Sequence, residues 1–268
     1  MKYVMSLSGG VASAVAADRA IQGYGKENVI LWYADTKWED EDLYRFMQDC
    51  LAYWGMEMQT HTDGRTPLEV SEQRQIIPNS KIAPCSFVLK VEPFRAFIAK
   101  IPDAVTVLLG LDWKEKHRME APTKAYEEMG AQVDFPLMWK PYEYRPYQDV
   151  VRYDWGIDPP RLYRLAYPHN YCAGRCVKQG VHEWIRTLIH FPERFEEMKL
   201  WEQSQRAKGG ARANRTICSE EIQGKKYPIT LAEIERRFKA GEYKESASTM
   251  FEPQEYKDDR VSCFCSYA

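Results

Sequence analysis

A pair of glycines flanked by serines stands between the first apolar run of the chain and the first helical run. The pattern is Ser8-Gly9-Gly10, followed three residues later by Ser13. Backbone N–H groups at a helix N-terminus, glycines that permit close approach and two hydroxyls together suit a phosphate group. The segment lacks the Gly-Lys-Ser/Thr ending of a Walker A loop. Because Gly-Gly pairs before helices are also common in plain turns, the spacing predicts either a phosphate cradle or a turn.

Cysteines are the second set of residues whose spacing points to chemistry. The chain has seven of them, and four form two close pairs, Cys172 with Cys176 and Cys263 with Cys265. Four thiolates from two local pairs match a tetrahedral site for zinc or for an iron–sulfur cluster. An odd cysteine count in a chain without an export signal disfavours a disulfide framework. The alternative is that the two pairs are coincidental neighbours.

Cys85 is a separate candidate, with Lys90 five residues after it. A thiol close to a cation can act as a nucleophile or a sulfur carrier, whereas a single buried cysteine is often an apolar filler. Lys90, and Arg118 further along, could supply charge to phosphate or sulfate oxygens, or they could be solvated surface charges. Cys50 and Cys218 have no neighbours at ligand spacing and are interpreted as bystanders.

Two further segments carry polar groups that suit a ligand. Asp35 and Thr36 follow the second apolar run, where a carboxylate suits a ribose hydroxyl or an exocyclic amine and equally a helix N-cap. Residues 206–215 carry four cations, and we refer to them as the basic segment. We interpret this segment as a loop that could meet nucleic-acid phosphates, although most charge runs are merely solvated.

The elements that must position these residues alternate between strand and helix. Apolar runs predict strands at residues 2–8, 28–34, 56–60, 104–111 and 133–138. Helices are predicted from residue 11, over residues 39–54, and over residues 88–100 with an interruption near Pro93. Strands that alternate with helices imply a mostly parallel sheet with right-handed crossovers.

The pattern changes after about residue 140, where prolines interrupt an aromatic-rich stretch that shows no strand pattern. Helices are predicted there over residues 181–205 and 231–240. The predicted fold class is therefore α/β, with a Rossmann-like, mostly parallel sheet over residues 1–140. A helical, cysteine-bearing module is predicted over residues 141–268.

Composition excludes several classes of protein. The 268 residues carry 37 Lys+Arg against 39 Asp+Glu, a net charge of −2, and 44% are hydrophobic. These values exclude a disordered chain and a globally basic nucleic-acid coat. No run approaches the roughly 18 apolar residues of a membrane helix, and the apolar start is too short for a signal peptide. We therefore expect a cytoplasmic protein with no membrane partner, and a homo-oligomer is left open.

Several motifs that are separated in the chain together resemble the PP-loop superfamily of adenine-nucleotide enzymes. They occur in the same order as in that superfamily. More closely, the chain resembles the phosphoadenosine phosphosulfate reductase-like proteins of phages and prophages and the related DNA phosphorothioation sulfurtransferases. The resemblance extends from residue 6 to about residue 204. The motifs that carry it are residues 8–13, Asp35-Thr36 with Glu39 and Asp40, residues 85–90 with Pro93, Gly110 with Glu115 and Arg118, residues 135–137, and residues 170–180.

The resemblance implies an adenine nucleotide alpha hydrolase-like fold that binds ATP or a phosphoadenosine-type nucleotide, with magnesium as a further cofactor. It implies a catalytic role for Cys85 and favours a four-iron cluster over zinc at Cys172, Cys176, Cys263 and Cys265. The nucleotide-binding residues that it implies are Ser6, Ser8, Gly9, Gly10, Ser13, Asp35, Thr36, Lys90, Gly110 and Arg118.

One residue departs from the superfamily pattern. Ala12 stands where ATP-cleaving members carry an aspartate that helps to hold magnesium. The expected function is sulfur transfer or nucleotide-dependent modification, assisted by an iron–sulfur cluster. One alternative is thiol-dependent reduction of an adenylylated sulfate. The tail argues against it, because it reads Cys263-Phe264-Cys265 where the reductases carry a Glu-Cys-Gly-x-His type of motif. The other alternative, motivated by Ala12, is a catalytically silent nucleotide-binding or sensor protein.

Overall fold

The computed structural model describes residues 1–142 and 144–243. The strands within these residues are β1 (Lys2–Leu7), β2 (Val29–Ala34), β3 (Met58–His61), β4 (Val105–Leu108), β5 (Gln132–Asp134), β6 (Cys218–Ile222) and β7 (Lys225–Ile229). The longer helices are α1 (Val11–Tyr24), α2 (Glu41–Trp54), α3 (Pro67–Gln73), α4 (Glu92–Ile98), α5 (Glu120–Glu127), α6 (Val181–His190), α7 (Pro192–Ala207) and α8 (Leu231–Lys239).

The described residues form two compact units, and each is considered by itself. The first unit comprises residues 1–64 and 86–160, and the second comprises residues 65–85 and 161–243. The predicted boundary at residue 140 stays a prediction.

The first unit is built on a five-stranded parallel sheet with the order β3-β2-β1-β4-β5. Its central strand, β1, pairs on one side with β2, where Met5 is opposite Leu31, and on the other with β4, where Met5 is opposite Leu108. This arrangement confirms the predicted α/β, Rossmann-like class. Since the chain leaves β1 toward β2 on one side and later returns to pair β4 on the other, the crevice between β1 and β4 is the topological switch point. Ligands of open α/β sheets bind at such a point.

A continuous apolar core covers one face of this sheet. Phe94 of α4 and Tyr126 of α5 pack there with Val4, Trp32 and Val107 from the three central strands, and all five are buried. Successive residues of β1, β2 and β4 are mostly buried, so these strands are covered on both faces and read as apolar runs in the sequence.

The helix predicted over residues 88–100 continues through Pro93 rather than being interrupted there. A π-helical turn, Phe87–Val91, directly precedes α4, and Pro93 lies in the first turn of α4. A proline inside a helix has no N–H to donate to the carbonyl four residues back. Here the proline follows a widened turn with a different hydrogen-bond spacing, so the chain stays helical.

The second unit differs from prediction in two places. The single helix predicted over residues 181–205 is two helices, α6 and α7, because the backbone leaves helical geometry at Phe191 and Pro192 begins the next helix. The module predicted to be helical also contains an antiparallel hairpin, in which β6 pairs with β7. Its two-residue turn, Gln223-Gly224, has positive φ at both positions (50° and 75°), as hairpin turns of this length require.

A buried carboxylate ties the second unit together. Glu202 of α7 accepts hydrogen bonds from the backbone N–H groups of Ile217 and Leu231, each at 2.8 Å, and is fully buried. Burial raises its pKa above the usual glutamate value, and the two hydrogen bonds oppose that shift. Glu202 thus joins the helix to the hairpin strand and to the start of α8.

Within the described residues no helix has both the length and the apolar character that crossing a membrane requires.

Candidate functional site

The glycine pair forms a closed turn at the N-terminus of α1, at the carboxyl end of β1. The Ser13 hydroxyl donates to the Gly10 carbonyl oxygen at 2.9 Å. It accepts from the Ser8 hydroxyl at 3.0 Å and from the Ser8 N–H at 3.2 Å. These bonds hold residues 8–13 in one conformation at a helix N-terminus, where the helix dipole and backbone N–H groups favour an anion.

Gly9 is required in this turn for two reasons. Its φ of 79° lies in the left-handed region. A Cβ atom at this position would stand 2.6 Å from Leu43 Cδ1, and Leu43 is fully buried on α2. The backbone therefore approaches its neighbours more closely than any side chain would allow.

Gly110 brings the end of β4 against the same turn. A Cβ atom on Gly110 would lie 3.1 Å from the Ser13 Cα. The structure thus brings Ser8, Gly9, Gly10, Ser13 and Gly110 together at the switch point between β1 and β4, as the sequence motif requires.

Ser6 lies just below this turn on β1. Its hydroxyl is buried, and no other group of the described residues hydrogen-bonds it. Buried hydroxyls are nearly always satisfied by protein, water or a ligand. The predicted ligand-binding role of Ser6 stays a prediction.

Asp35 lies at the carboxyl end of β2 and is held by its own neighbours. It accepts from the Lys37 N–H at 2.9 Å and from the Tyr44 hydroxyl at 2.7 Å, and the Lys37 ammonium lies 2.8 Å from its second oxygen. Burial opposes ionisation of this carboxyl, but the hydrogen bonds and the ammonium outweigh it, so its pKa is lowered. Asp35 is therefore a fixed carboxylate, and it does not cap α2, since Asp40 occupies the N-cap position.

Lys90 is buried in an ion pair that the sequence did not predict. Its ammonium lies 3.3 Å from Glu39 Oε1, and the two side chains are 5% and 0% exposed. The same carboxylate oxygen accepts from the Thr36 hydroxyl at 3.1 Å. Burial and the charge of Glu39 raise the pKa of the adjacent Tyr33, against the influence of Lys90. Thr36 and Lys90 thus meet at Glu39, and Tyr44, the partner of Asp35, interacts electrostatically with Glu39 and Lys90.

Arg118 lies on a 3₁₀ turn, Trp113–Arg118, that follows β4. It pairs with Glu115, whose pKa is raised by burial despite the arginine, with a further contribution from Asp112. Asp112 also accepts from the Tyr147 hydroxyl at 3.0 Å. The Glu115–Arg118 spacing noted in the sequence is therefore an ion pair within one turn.

Cys85 belongs to the second unit, where it is buried at the end of residues 65–85. The predicted catalytic role of Cys85 stays a prediction. Tyr33, Glu39 and Tyr44 were missing from the predicted site. Glu39 had a signal, since it stands in the motif after Asp35-Thr36, whereas the two tyrosines had none.

Cys172 and Cys176 are both buried in the second unit, on a tightly folded segment. Residues 172–174 have positive φ in succession, at 52°, 52° and 72°. Arg194 donates to the Ala173 carbonyl oxygen at 3.0 Å. Arg175 interacts electrostatically with Cys172.

The other two predicted ligands, Cys263 and Cys265, lie outside the described residues. Among the described residues no group of three or more cysteine, histidine or acidic side chains is arranged to hold a metal ion. Cys172 and Cys176 are four residues apart and both buried, and the four-cysteine site stays a prediction.

The basic segment is more ordered than the predicted loop. It includes the end of α7 at Ala207 and a 3₁₀ turn, Gly210–Arg212. Arg206 donates to the Arg215 carbonyl oxygen at 2.6 Å, and Lys208 donates to Gln205 at 3.1 Å. These cations contact their own unit, which reduces their availability for nucleic-acid phosphates.

The fold and the switch-point turn define a nucleotide-binding α/β protein, and comparison with known proteins gives its family. Residues 2–152 match the phosphoadenosine phosphosulfate reductase domain, which covers more than half of the chain. The chain therefore belongs to the phosphoadenosine phosphosulfate reductase domain family, a family of adenine-nucleotide-binding enzymes.

Among solved structures, the chain is similar to phosphoadenylyl-sulfate reductase from Candida auris in a phosphate complex, with 16% identity and a TM-score of 0.45 over 62% of this chain and 79% of that chain. No curated protein matches the chain.

Proposed function

We propose that this protein is an adenine-nucleotide-dependent sulfurtransferase or modifying enzyme that uses the turn at residues 8–13 as its phosphate cradle. The observation that carries the proposal is the closed Ser8–Ser13 turn at the switch point, where a Cβ atom on Gly9 would overlap Leu43 and one on Gly110 would lie 3.1 Å from the Ser13 Cα. Such an arrangement presents helix N-terminal N–H groups to a phosphate.

The ligand contacts follow from this position. The nucleotide phosphates would occupy the cradle, and the orphaned hydroxyl of Ser6 offers a hydrogen bond nearby. The fixed carboxylate of Asp35, at the end of the neighbouring strand, would accept from a ribose hydroxyl or an exocyclic amine. Glu39 would hold Lys90 in place beside these groups through the buried ion pair.

In the proposed reaction, an oxygen of the acceptor attacks the α-phosphorus of ATP and pyrophosphate leaves, which gives an adenylylated acceptor. Sulfide then attacks the activated carbon or phosphorus, the bond to oxygen breaks and AMP leaves. With sulfide as the donor, no electrons are gained or lost. Ala12 contributes no carboxylate for magnesium, so any magnesium would be held by the nucleotide itself and by residues other than this one.

We further propose that Cys172, Cys176, Cys263 and Cys265 hold an iron–sulfur cluster, with zinc as the alternative metal. The buried turn at residues 172–174 and the guanidinium of Arg175 near Cys172 support two of these four ligands. When bound, such a cluster supplies a site that can carry or activate sulfur. The proposed relation to phage-type proteins and to DNA phosphorothioation sulfurtransferases agrees with a chemistry of this kind.

Reduction of an adenylylated sulfate is the second candidate, and the family match favours it. A thiolate would attack the sulfur, the sulfur–oxygen bond to the nucleotide would break and an adenosine phosphate would leave. A second thiol would then release sulfite and form a disulfide. The same phosphate cradle serves both reactions.

The first experiment measures nucleotide binding and turnover. Ser8→Ala/Ser13→Ala should weaken binding of ATP, measured by calorimetry, by at least about tenfold, because the hydrogen bonds that shape the cradle are lost. Ser204→Ala is the matched control, since the Ser204 hydroxyl is exposed and bonds only within its own helix turn. Labelled ATP with sulfide and magnesium should yield AMP and pyrophosphate in the presence of an acceptor.

Other outcomes discriminate between the candidates. Release of sulfite from an adenylylated sulfate, with no consumption of ATP, would establish reduction instead. Stoichiometric binding with no turnover under any condition would contradict both reactions and indicate a silent nucleotide-binding protein.

The cluster is tested by metal content. Anaerobically purified Cys176→Ser should contain far less iron than wild type, with loss of absorbance near 400 nm. Cys50→Ser, which replaces a buried cysteine on α2, should retain it. A wild-type protein with neither iron nor zinc would contradict the proposed site.

A further inference from the structure

Three aromatic side chains, Trp113, Tyr142 and Tyr144, lie together on the surface of the first unit. The ring centres of Trp113 and Tyr144 are 6.1 Å apart, and those of Tyr142 and Tyr144 are 6.2 Å apart. Tyr144 is 76% exposed and Trp113 is 42% exposed. We refer to these three residues as the aromatic platform.

The platform is anchored to the frame of the unit. Tyr147, three residues after Tyr144, bonds through its hydroxyl to Asp112, the residue before Trp113. Arg19 of α1 donates to the carbonyl oxygen of Pro141 at 3.0 Å. Hydrogen bonds at Pro141 and at Tyr147 therefore tie the two ends of the segment that carries the tyrosines to other parts of the unit. Contiguous exposed aromatic surface of this kind marks an interaction site.

The charge around the platform is positive although the chain is slightly acidic. The 3₁₀ turn Trp113–Arg118 and residues 140–145 together contain five lysines and arginines but two acidic residues. Arg118 pairs with Glu115, and Arg145 pairs with Asp154.

Three lysines of these segments remain for an external ligand. Lys114, Lys116 and Lys140 are exposed and make no ion pair among the described residues. The ammonium of Lys114 lies 5.4 Å from the centre of the Trp113 ring, close enough for a cation–π interaction. The platform thus combines aromatic faces with cations, as surfaces that bind single-stranded nucleic acid do.

The platform also lies close to the phosphate cradle. Gly110 packs against Ser13, and Trp113 follows Gly110 by three residues. Three residues of extended chain span at most about 11 Å. A base stacked on Trp113 would therefore bring its own sugar and phosphate to within reach of the cradle.

We propose that the aromatic platform binds the bases of a single-stranded nucleic acid, which is the acceptor of the reaction. This proposal rests on the proposed function for the identity of the reaction, but the binding itself does not depend on it. A duplex would not bind to the platform in this way, because the bases of a duplex are already stacked on each other. A protein partner is less suited to the platform, since Lys114 at the Trp113 ring and two further lysines of these segments, with no ion pair among the described residues, match a polyanion.

The test measures anisotropy of fluorescein-labelled 12-nucleotide DNA and RNA strands and of a DNA duplex with the same sequence. Trp113→Ala/Tyr144→Ala should weaken single-strand binding by at least about tenfold, since stacking on each ring contributes substantially to binding. Tyr153→Ala is the matched control, because Tyr153 is 72% exposed in the same unit and lies outside the platform. It should change the affinity by less than about twofold.

The salt dependence of a variant at the three lysines is a second test. Lys114→Gln/Lys116→Gln/Lys140→Gln should reduce the slope of log affinity against log salt by about 2, the value for three phosphate contacts on a single strand. All replaced side chains are on the surface, so the variants should unfold at the same urea concentration as wild type.

Different results would contradict the platform proposal and the proposed function. Ser8→Ala/Ser13→Ala should lose ATP binding and keep the oligonucleotide affinity of wild type. If wild type binds no single strand, if it binds duplex equally well, or if the platform variant matches Tyr153→Ala, the platform proposal is overturned. If single strands bind as described and no adenine nucleotide binds, the platform stands and the proposed function fails.

Discussion

Substitution of Gly9 by alanine tests the packing of the phosphate cradle most directly. The left-handed backbone of Gly9 costs a residue with a Cβ about 1–2 kcal/mol. The added methyl would also lie 2.6 Å from Leu43 Cδ1, and overpacking of this kind costs about 1–3 kcal/mol more. Gly9→Ala should therefore lower the free energy of unfolding by about 2–5 kcal/mol. It should also weaken ATP binding, because the turn must move away from Leu43.

Gly130 provides a matched control for the backbone part of this cost. It has the same φ of 79°, and a Cβ atom there would meet nothing within 4 Å. Gly130→Ala should therefore cost only the conformational part, about 1–2 kcal/mol. The difference between the two variants, measured by urea unfolding followed by circular dichroism, isolates the contact with Leu43.

A double-mutant cycle with Leu43→Ala completes the test. Leu43→Ala alone should cost about 2–5 kcal/mol by leaving a cavity. Combined with Gly9→Ala it should cost less than the sum, because the new methyl occupies part of that cavity. If Gly9→Ala and Gly130→Ala are equally destabilising, or if the two substitutions at the cradle simply add, the close approach of Gly9 to Leu43 is wrong.

Three other variants test other parts of the molecule by the same unfolding measurement. Lys90→Met should destabilise by about 3–5 kcal/mol because it removes the ammonium that lies 3.3 Å from the buried Glu39 carboxylate, and adding Glu39→Gln should recover part of the loss. No recovery would contradict the ion pair. Burial raises the pKa of Glu202, so the folded chain holds that proton more tightly than the unfolded chain. This proton's contribution to the free energy of unfolding is fully present below pH 4.5 and is lost as the pH rises through the folded-state pKa of Glu202. The stability of wild type relative to Glu202→Gln should therefore fall with rising pH. Gly110→Ala should cost about 1–3 kcal/mol and weaken ATP binding, since its methyl would push the end of β4 away from Ser13; unchanged binding would contradict that contact.

Much of the first unit could be predicted because its determinants are local. β1, β2 and β4 are buried on both faces of a parallel sheet, so each reads as a continuous apolar run. Gly9 and Gly10 mark a turn before α1 because glycine adopts the left-handed backbone at position 9 without a steric penalty. The sequence alone therefore determined the Rossmann-like class and the location of the cradle in the chain.

The hairpin of the second unit had only a weak local signal. Of the ten residues of β6 and β7, six are exposed and four are charged, and no alternation of apolar and polar side chains marks them. Their turn, Gln223-Gly224, ends in a glycine, but a single glycine is not specific for a hairpin. The pairing is decided by contacts with the rest of the unit, among them the hydrogen bond from Ile217 to Glu202.

The electrostatics of the site were decided by tertiary structure alone. Lys90 and Glu39 are 51 residues apart in the chain, and their identity as a buried ion pair depends on where two separate elements meet. The same holds for Leu43 behind Gly9 and for Ser13 behind Gly110, since a sequence pattern records which residues can make a turn but not what packs against it. Charges and close approaches between distant segments arise only once the sheet has formed, whereas strand burial and glycine turns are encoded residue by residue.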